Sequence, residues 1–407
     1  MSTGIRGATD LTHDETATLV REYLMAGHVI DRAGIPYVAL RGIDYFAEVA
    51  IDEWMGASPI YAKRMQRLMG FEAPTVEAAM KGMQLEIGAP PEYLDFRMHL
   101  IDERHGEFEN MYCGPLVELE PAGDEMVNAM CHRIQDPTFD ATAWATHPKI
   151  RLHPIHRPPR EPADRVPHCK WSVVLDESTE DAPPPEKAEH LGRSHLANLP
   201  IATVDPQLSD GEGMVDYSGP LVEVLRLRDI AQATLRAVAD EVAVQGHLLA
   251  MSFGTAVEQR FGHDDAVDLV SKCFTGTAAV AARRLKRSLG TGDDLDGLAT
   301  MFELHPAFHP RSYVGWEVQV DGDEVHLELR DCPATDESGF VTWMTTLADG
   351  HDLALQAIAT EVDPHWQVTA HGGRRWTVAR TDEAIAVHEE VELPASFTAT
   401  TFVHIRT

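Results

Sequence analysis

The chain is short of basic residues, of cysteine and of long apolar runs, and each shortage excludes something. Only 34 Lys and Arg stand against 65 Asp and Glu, leaving a formal net charge of −31 over 407 residues. A surface of that sign repels phosphate backbones, so nucleic acid is not an expected partner. No run approaches the roughly 18 apolar residues that a membrane span needs, so no membrane partner is expected either. The opening Met1-Ser-Thr-Gly-Ile-Arg6 lacks the apolar stretch of a signal peptide, and the expected compartment is the cytoplasm. Five cysteines, an odd count without a secretory signal, favour free thiols, metal ligands or a nucleophile over a disulfide framework. Glycine-rich phosphate loops, G-x-S-x-G elbows, H-E-x-x-H and Walker motifs are absent. The chain does have a hydrophobic content of 44%, usual for a soluble globular protein, and enough length for two or three domains.

It also has an internal echo. Tyr93-Leu-Asp-Phe96 returns as Tyr313-Val-Gly-Trp316, and each opens a strand-like stretch that ends in a cysteine, Cys113 or Cys332. Met126-Val-Asn-Ala-Met130-Cys131 is answered by Phe340-Val-Thr-Trp-Met344-Thr345, and His147-Pro148 by Asp363-Pro364. Cys169-Lys-Trp171 corresponds to Arg374-Arg-Trp376. Five landmarks in one order argue for duplication. The second copy keeps the aromatics but has lost the counterparts of Cys131 and Cys169, which suggests one working site and one structural partner.

The organisation read from this is a first repeat at 1–177, a Pro- and acid-rich linker at 178–216, and a second repeat at 217–407. In the first, apolar residues at helical spacing predict a helix over Glu15–Ala33, broken by Gly34-Ile-Pro36. Further helices are expected at Arg41–Trp54, Pro59–Gly70 and Thr75–Gly88. Alternation from Tyr93 predicts strands, including a short one at Val127–Cys131, then a helix at Asp136–Thr146 and strands at Ile150–Ile155 and His168–Leu175. The second copy repeats the plan, with a strand expected at Phe340–Met344 and a closing one at Phe397–Arg406. The fold class expected is α+β, two tandem copies of a helical layer on a mostly antiparallel sheet.

Two constellations could carry chemistry. Cys113, Cys131 and Cys169 sit at expected strand ends, with Asp136 and His168 close in sequence to two of them. A thiolate attacking an electrophilic carbon, with His168 or His132 as base and Asp136 orienting it, fits that set. So does Zn²⁺ held by Cys113, Cys131 and Cys169, although the spacing is not a C-x-x-C knuckle. The packing alternative treats each thiol as a small buried hydrophobe. The second constellation, Arg151, His153, His156 and Arg157, is the densest basic cluster of the first repeat and reads as a carboxylate- or phosphate-binding lip or as a solvated loop. Glu53 and Trp54 lie on a helix that could face the sheet, with core packing the default for Trp54.

The order Phe96 to Cys113, Cys131 with Asp136 five residues on, His147-Pro148 and His168-Cys169-Lys-Trp171 resembles the L-2-amino-thiazoline-4-carboxylic acid hydrolase-like family, which is related to 4-vinyl reductase ligand-binding domains. The resemblance covers about residues 15–176, with a degenerate echo over 221–381, and the proline-rich insert at 158–167 and the fused second copy depart from it. It implies a hydrolase that opens a small ring or cleaves a C–N, C–S or C–O bond at Cys113, Cys131, Asp136, His168 and Cys169. The alternative it implies is a module that binds a small aromatic ligand, with structural zinc. The cofactor expectation is therefore none or zinc. The expected partner is a small molecule, carrying a carboxylate if the basic lip grips it. Homodimerisation stays open.

Overall fold

Helix α1 (His13–Ala39) begins where Thr12 accepts the Glu15 amide and the Glu15 carboxylate accepts the Thr12 amide in return. It does not break at Gly34-Ile-Pro36 as the sequence predicts. Pro36 falls in the last turn, where a missing donor costs one hydrogen bond, and Gly34 is a close-packing residue: a Cβ there would stand 2.7 Å from the Phe253 ring. Helix α2 (Ile43–Leu68) likewise runs through Pro59, so two expected helices are one. The computed structural model describes residues 4–205, 207 and 212–391. The strand expected at Phe397–Arg406 lies outside them.

The first half continues with α3 (Val76–Met83), β1 (Leu94–Asp102) and β2 (His105–Cys113). Next come α4 (Gly114–Leu119), α5 (Asp124–Asn128), a π-helical turn over Ala129–Ile134, α6 (Gln135–Trp144), β3 (Ile150–His156) and β4 (Cys169–Leu175). The strand expected at Val127–Cys131 is thus helix and π-turn; a run that short and apolar has no periodicity to separate the two. Helix α7 (Glu186–Leu191) lies within the 178–216 segment, which crosses between the halves. Leu191 and Leu196 are buried, and the His195 and Leu196 amides donate to Glu337 at 3.0 and 2.8 Å.

The second half holds α8 (Gln232–Phe261), α9 (His263–Leu289), α10 (Leu295–Leu304), β5 (Trp316–Asp321) and β6 (Glu324–Leu329), followed by α11 (Trp343–Ala348), α12 (Leu353–Val362), β7 (Trp366–Gly372) and β8 (Arg375–Arg380). The expected strand at Phe340–Met344 is instead a turn into α11. Both sheets are antiparallel and share one strand order, β1-β2-β4-β3 and β5-β6-β8-β7. The fold is α+β with two similar halves.

The halves meet through their long helices, α1 against α8 and α9, and α2 against α8. At the α1–α8 crossing, a Cβ on Gly246 would lie 3.8 Å from the Gly27 Cα, so glycine on both sides lets the backbones approach. Reciprocal buried ion pairs flank the crossing. Arg64 of α2 grips Glu241 of α8 with two 2.8 Å bonds, and Arg284 of α9 meets Glu22 of α1 at 2.6 Å. Glu22 lies 219 residues before Glu241, and Arg64 lies 220 before Arg284. The duplicated helices are therefore in register.

The apolar core follows the same division unequally. The second sheet's Trp316, Val325, Leu327, Trp376 and Val378 join the main cluster built by the long helices. The first sheet's Met98, Phe108, Leu152, Trp171 and Val173 form a cluster of their own with α3, and Cys113 and Cys131 belong to a third with Tyr93 and Leu94. Something separates the first sheet from its helices.

Candidate functional site

That something is a cavity of about 320 Å³ between α1, α2 and the first sheet. Its apolar wall comes from Ile35, Phe46 and Trp54 on the helices, Leu94 and Phe96 on β1, and Met126, Met130 and Phe139 on the segment that caps it. Ala122 is exposed and Leu119, Pro36 and Ala39 are half-exposed, so the opening lies between the end of α1 and the cap.

The polar wall is unusual for so enclosed a place. Asp31 accepts the Trp54 indole N–H at 3.0 and 3.2 Å. Arg32 stands 3.3 Å from Glu118, which also accepts the Tyr93 hydroxyl at 2.6 Å. Glu53, fully buried on α2 against Asp31, is not itself part of the lining. Glu86 faces the Tyr61 hydroxyl. Burial raises all four carboxyls, Glu86 to about 8, and the single Arg32 guanidinium does not offset it. His28 donates from Nδ1 to the Ile87 carbonyl at 3.0 Å, and burial together with Arg32 lowers its pKa to about 3, so Nε2 keeps a free lone pair. His28 Nε2, Arg32 Nη2, the Tyr61 hydroxyl, Glu86 Oε2, Asn110 Oδ1, Glu118 Oε1 and Gln135 Oε1 are buried without a partner of hydrogen-bonding geometry. Leaving a buried polar atom unpaired costs about 1–3 kcal/mol, so a wall with several carries a cost that contacts within the chain do not offset.

The cysteines expected in the site are brought together, but at the edge of this cavity. Cys113 and Cys169 line it, and Cys131, on the π-turn, feels both electrostatically. Burial raises all three thiols, Cys113 to about 11 and Cys169 to about 12. Among the described residues no group of three or more His, Cys, Asp or Glu is arranged to hold a metal ion. His168 accepts the Cys113 amide on Nδ1 at 3.1 Å, with Arg160 3.3 Å from Nε2, and burial lowers its pKa. Asp136 is exposed and paired with Arg157.

The expected basic lip is occupied elsewhere. Arg157 also reaches the Cys131 carbonyl and lies over the Trp171 ring, and Arg151 donates to the Pro148 and Ile150 carbonyls. His153 is exposed on the edge strand β3, and His156 is half-buried. None of the four lines the cavity. His132, the other candidate base, is bonded to the Pro158 carbonyl at 2.6 Å.

The second half treats the equivalent space differently. His247 stands to Tyr313 as His28 does to Tyr93, with ring centroids 5.3 and 5.2 Å apart. From that anchor, Ala250 and Met251 occupy the places of Asp31 and Arg32, and in the next helix Cys273 and Ala281 occupy those of Glu53 and Tyr61. Phe308 stacks on Trp316 at 4.0 Å and Phe274 on Trp343 at 5.1 Å. A separate gap of about 20 Å³, where α1 crosses α8 and α9 beside Gly27, Gly246 and Phe274, has room for about one water.

Set against known proteins, the chain matches no family model, no curated protein and no solved structure at a significant level. No helix among the described residues is long and apolar enough to cross a membrane.

Proposed function

We propose that the protein binds a small, largely apolar molecule in the first-half cavity, and that the second half is its filled, structural counterpart. One observation carries this reading: the cavity of about 320 Å³ joins an apolar wall to several buried polar atoms that have no partner. An apolar pocket with a few converging polar groups is the usual form of a small-molecule site. Of the two activities implied by the family resemblance, this favours the ligand-binding module. The thiol-hydrolase reading has less support. Burial holds Cys113 and Cys169 as neutral thiols, and the Nδ1 lone pair of His168 is spent on the Cys113 amide.

One feature favours a second reading, an acid–base enzyme acting on the bound molecule. Glu86, raised to about 8, and His28, held neutral, place a protonated acid and a free base on one wall. The experiment that tests the primary reading has two arms. Native mass spectrometry of the isolated protein looks for a bound small molecule, and calorimetric titration follows 1-naphthalenemethanol. Saturation at one molecule per chain supports binding. No co-isolated mass and no saturable heat would overturn it. Conversion of the titrant would move the reading from binding to catalysis.

A further inference from the structure

We propose that the ligand of this cavity is a cation, a small apolar molecule carrying an ammonium group. The inference rests on the binding reading above and concerns the chemistry of the same wall. Five of its unpartnered atoms are acceptors. The free Nε2 of His28 follows from its Nδ1–H donating to the Ile87 carbonyl, and Asn110 and Gln135 each present a carbonyl oxygen. Glu86 and Glu118 each present a carboxyl oxygen. His28 and Asn110 are 5% and 2% exposed, so no bulk water serves them. The unpartnered donors of the same wall are fewer, one nitrogen of Arg32 and the Tyr61 hydroxyl, which faces Glu86.

Charge points the same way. Asp31, Glu86 and Glu118 line the cavity with a single guanidinium, which stands 3.3 Å from Glu118 and 3.7 Å from Asp31, and Glu53 is buried behind Asp31. Arg32 is therefore committed, and an incoming carboxylate would meet a wall already rich in acid. An ammonium brings three donors and no acceptor to a wall richer in acceptors than in donors, and it supplies the charge that lets a buried carboxyl ionise. The faces of Trp54 and Phe96 offer it aromatic surface. The chain's net charge of −31 raises the local concentration of any cation.

Three probes of nearly one shape test this by calorimetry at pH 7: 1-naphthylmethylamine, 1-naphthalenemethanol and 1-naphthoate. The expected order is amine, alcohol, carboxylate, with the amine ahead of the alcohol by about tenfold or more, the worth of one charge-assisted hydrogen bond. Glu86→Gln narrows the amine's lead over the alcohol, and Glu118→Gln serves the same purpose should the first variant not fold. Equal affinity of amine and alcohol, or naphthoate binding as tightly as the amine, would overturn the cationic ligand while leaving the cavity as a binding site. Failure of all three to bind would overturn the binding reading itself, and this inference with it.

Discussion

In the first half α1 carries Asp31 and Arg32 over an open cavity; in the second, α8 carries Ala250 and Met251 at the same places, both buried in the main apolar core. The helices that do so are held by the same devices, a reciprocal pair of buried Arg–Glu bridges and a glycine crossing. What was retained in both copies is therefore the frame, and what diverged is the filling. The difference separates residues that hold the fold from residues that serve a site. Glu22 and Arg64 have working equivalents across the duplication, whereas Glu53, Tyr61 and Asp31 do not. A buried charge kept in one copy without a full set of partners stabilises nothing by itself, and a ligand gives it a reason to remain.

The comparison can be broken first by emptying the filled half. Trp316→Ala should cost about 3–5 kcal/mol, because it opens a new cavity beneath Phe308, whereas Phe96→Ala, beside space that already exists, should cost roughly 1–2 kcal/mol. Urea denaturation of both variants measures the contrast, and equal losses would mean that the halves are filled alike. The shared frame should respond evenly: Glu22→Gln and Glu241→Gln each strand a buried arginine, and each should cost about 3 kcal/mol. A large inequality would show that the two bridges are not equivalent.

A smaller effect sharpens the polar side. The Glu86 carboxyl sits near 8 in the folded protein and near its ordinary value of 4.5 when unfolded, so the folded state holds the extra proton between those values. Stability of the empty protein should therefore fall as pH rises from about 4.5 to 8. Glu86→Gln should remove part of that slope and gain on the order of 1–3 kcal/mol at pH 8. Thermal unfolding across pH reads this, and a slope unchanged by the substitution would count against Glu86 as a buried acid. The smallest effect is chemical. With iodoacetamide at pH 7, the half-buried Cys332 should be modified before Cys113, Cys131 or Cys169, all three of which burial holds as neutral thiols. Peptide mapping that found Cys131 modified first would restore a thiolate site.

Much of the frame was legible in the residues. Trp171 and Trp376 hold the same place in β4 and β8, opposite Phe108 and Leu327. His147 and Asp363 make the same turn, each accepting the amide two residues on at 3.1 and 2.8 Å. The Cys131 segment was not legible as a helix, since its short, mostly apolar run fits strand and π-turn equally. The polar wall was missed for a different reason. Asp31, Arg32 and Glu53 lie on helices whose register matches the second copy at nearly constant spacing, but the landmarks that carry the echo begin at Tyr93. Only the pairing of Glu22 with Glu241 aligns the helices and sets these charges against Ala250, Met251 and Cys273. The cavity itself has no sequence signature, because an empty space is a property of how side chains fail to meet.

The central claim is that the first half is hollow in order to hold a ligand, and filling that hollow tests it most directly. Ala50 of α2 and Thr142 of α6 both line the cavity, so Ala50→Phe and Thr142→Phe each place a ring inside it. With circular dichroism matched to the unaltered protein, 1-naphthylmethylamine is titrated into each variant. The account predicts that binding is lost or sharply weakened while the unaltered chain takes up one molecule. Undiminished binding to a folded, filled variant would contradict it and place the ligand elsewhere on the molecule.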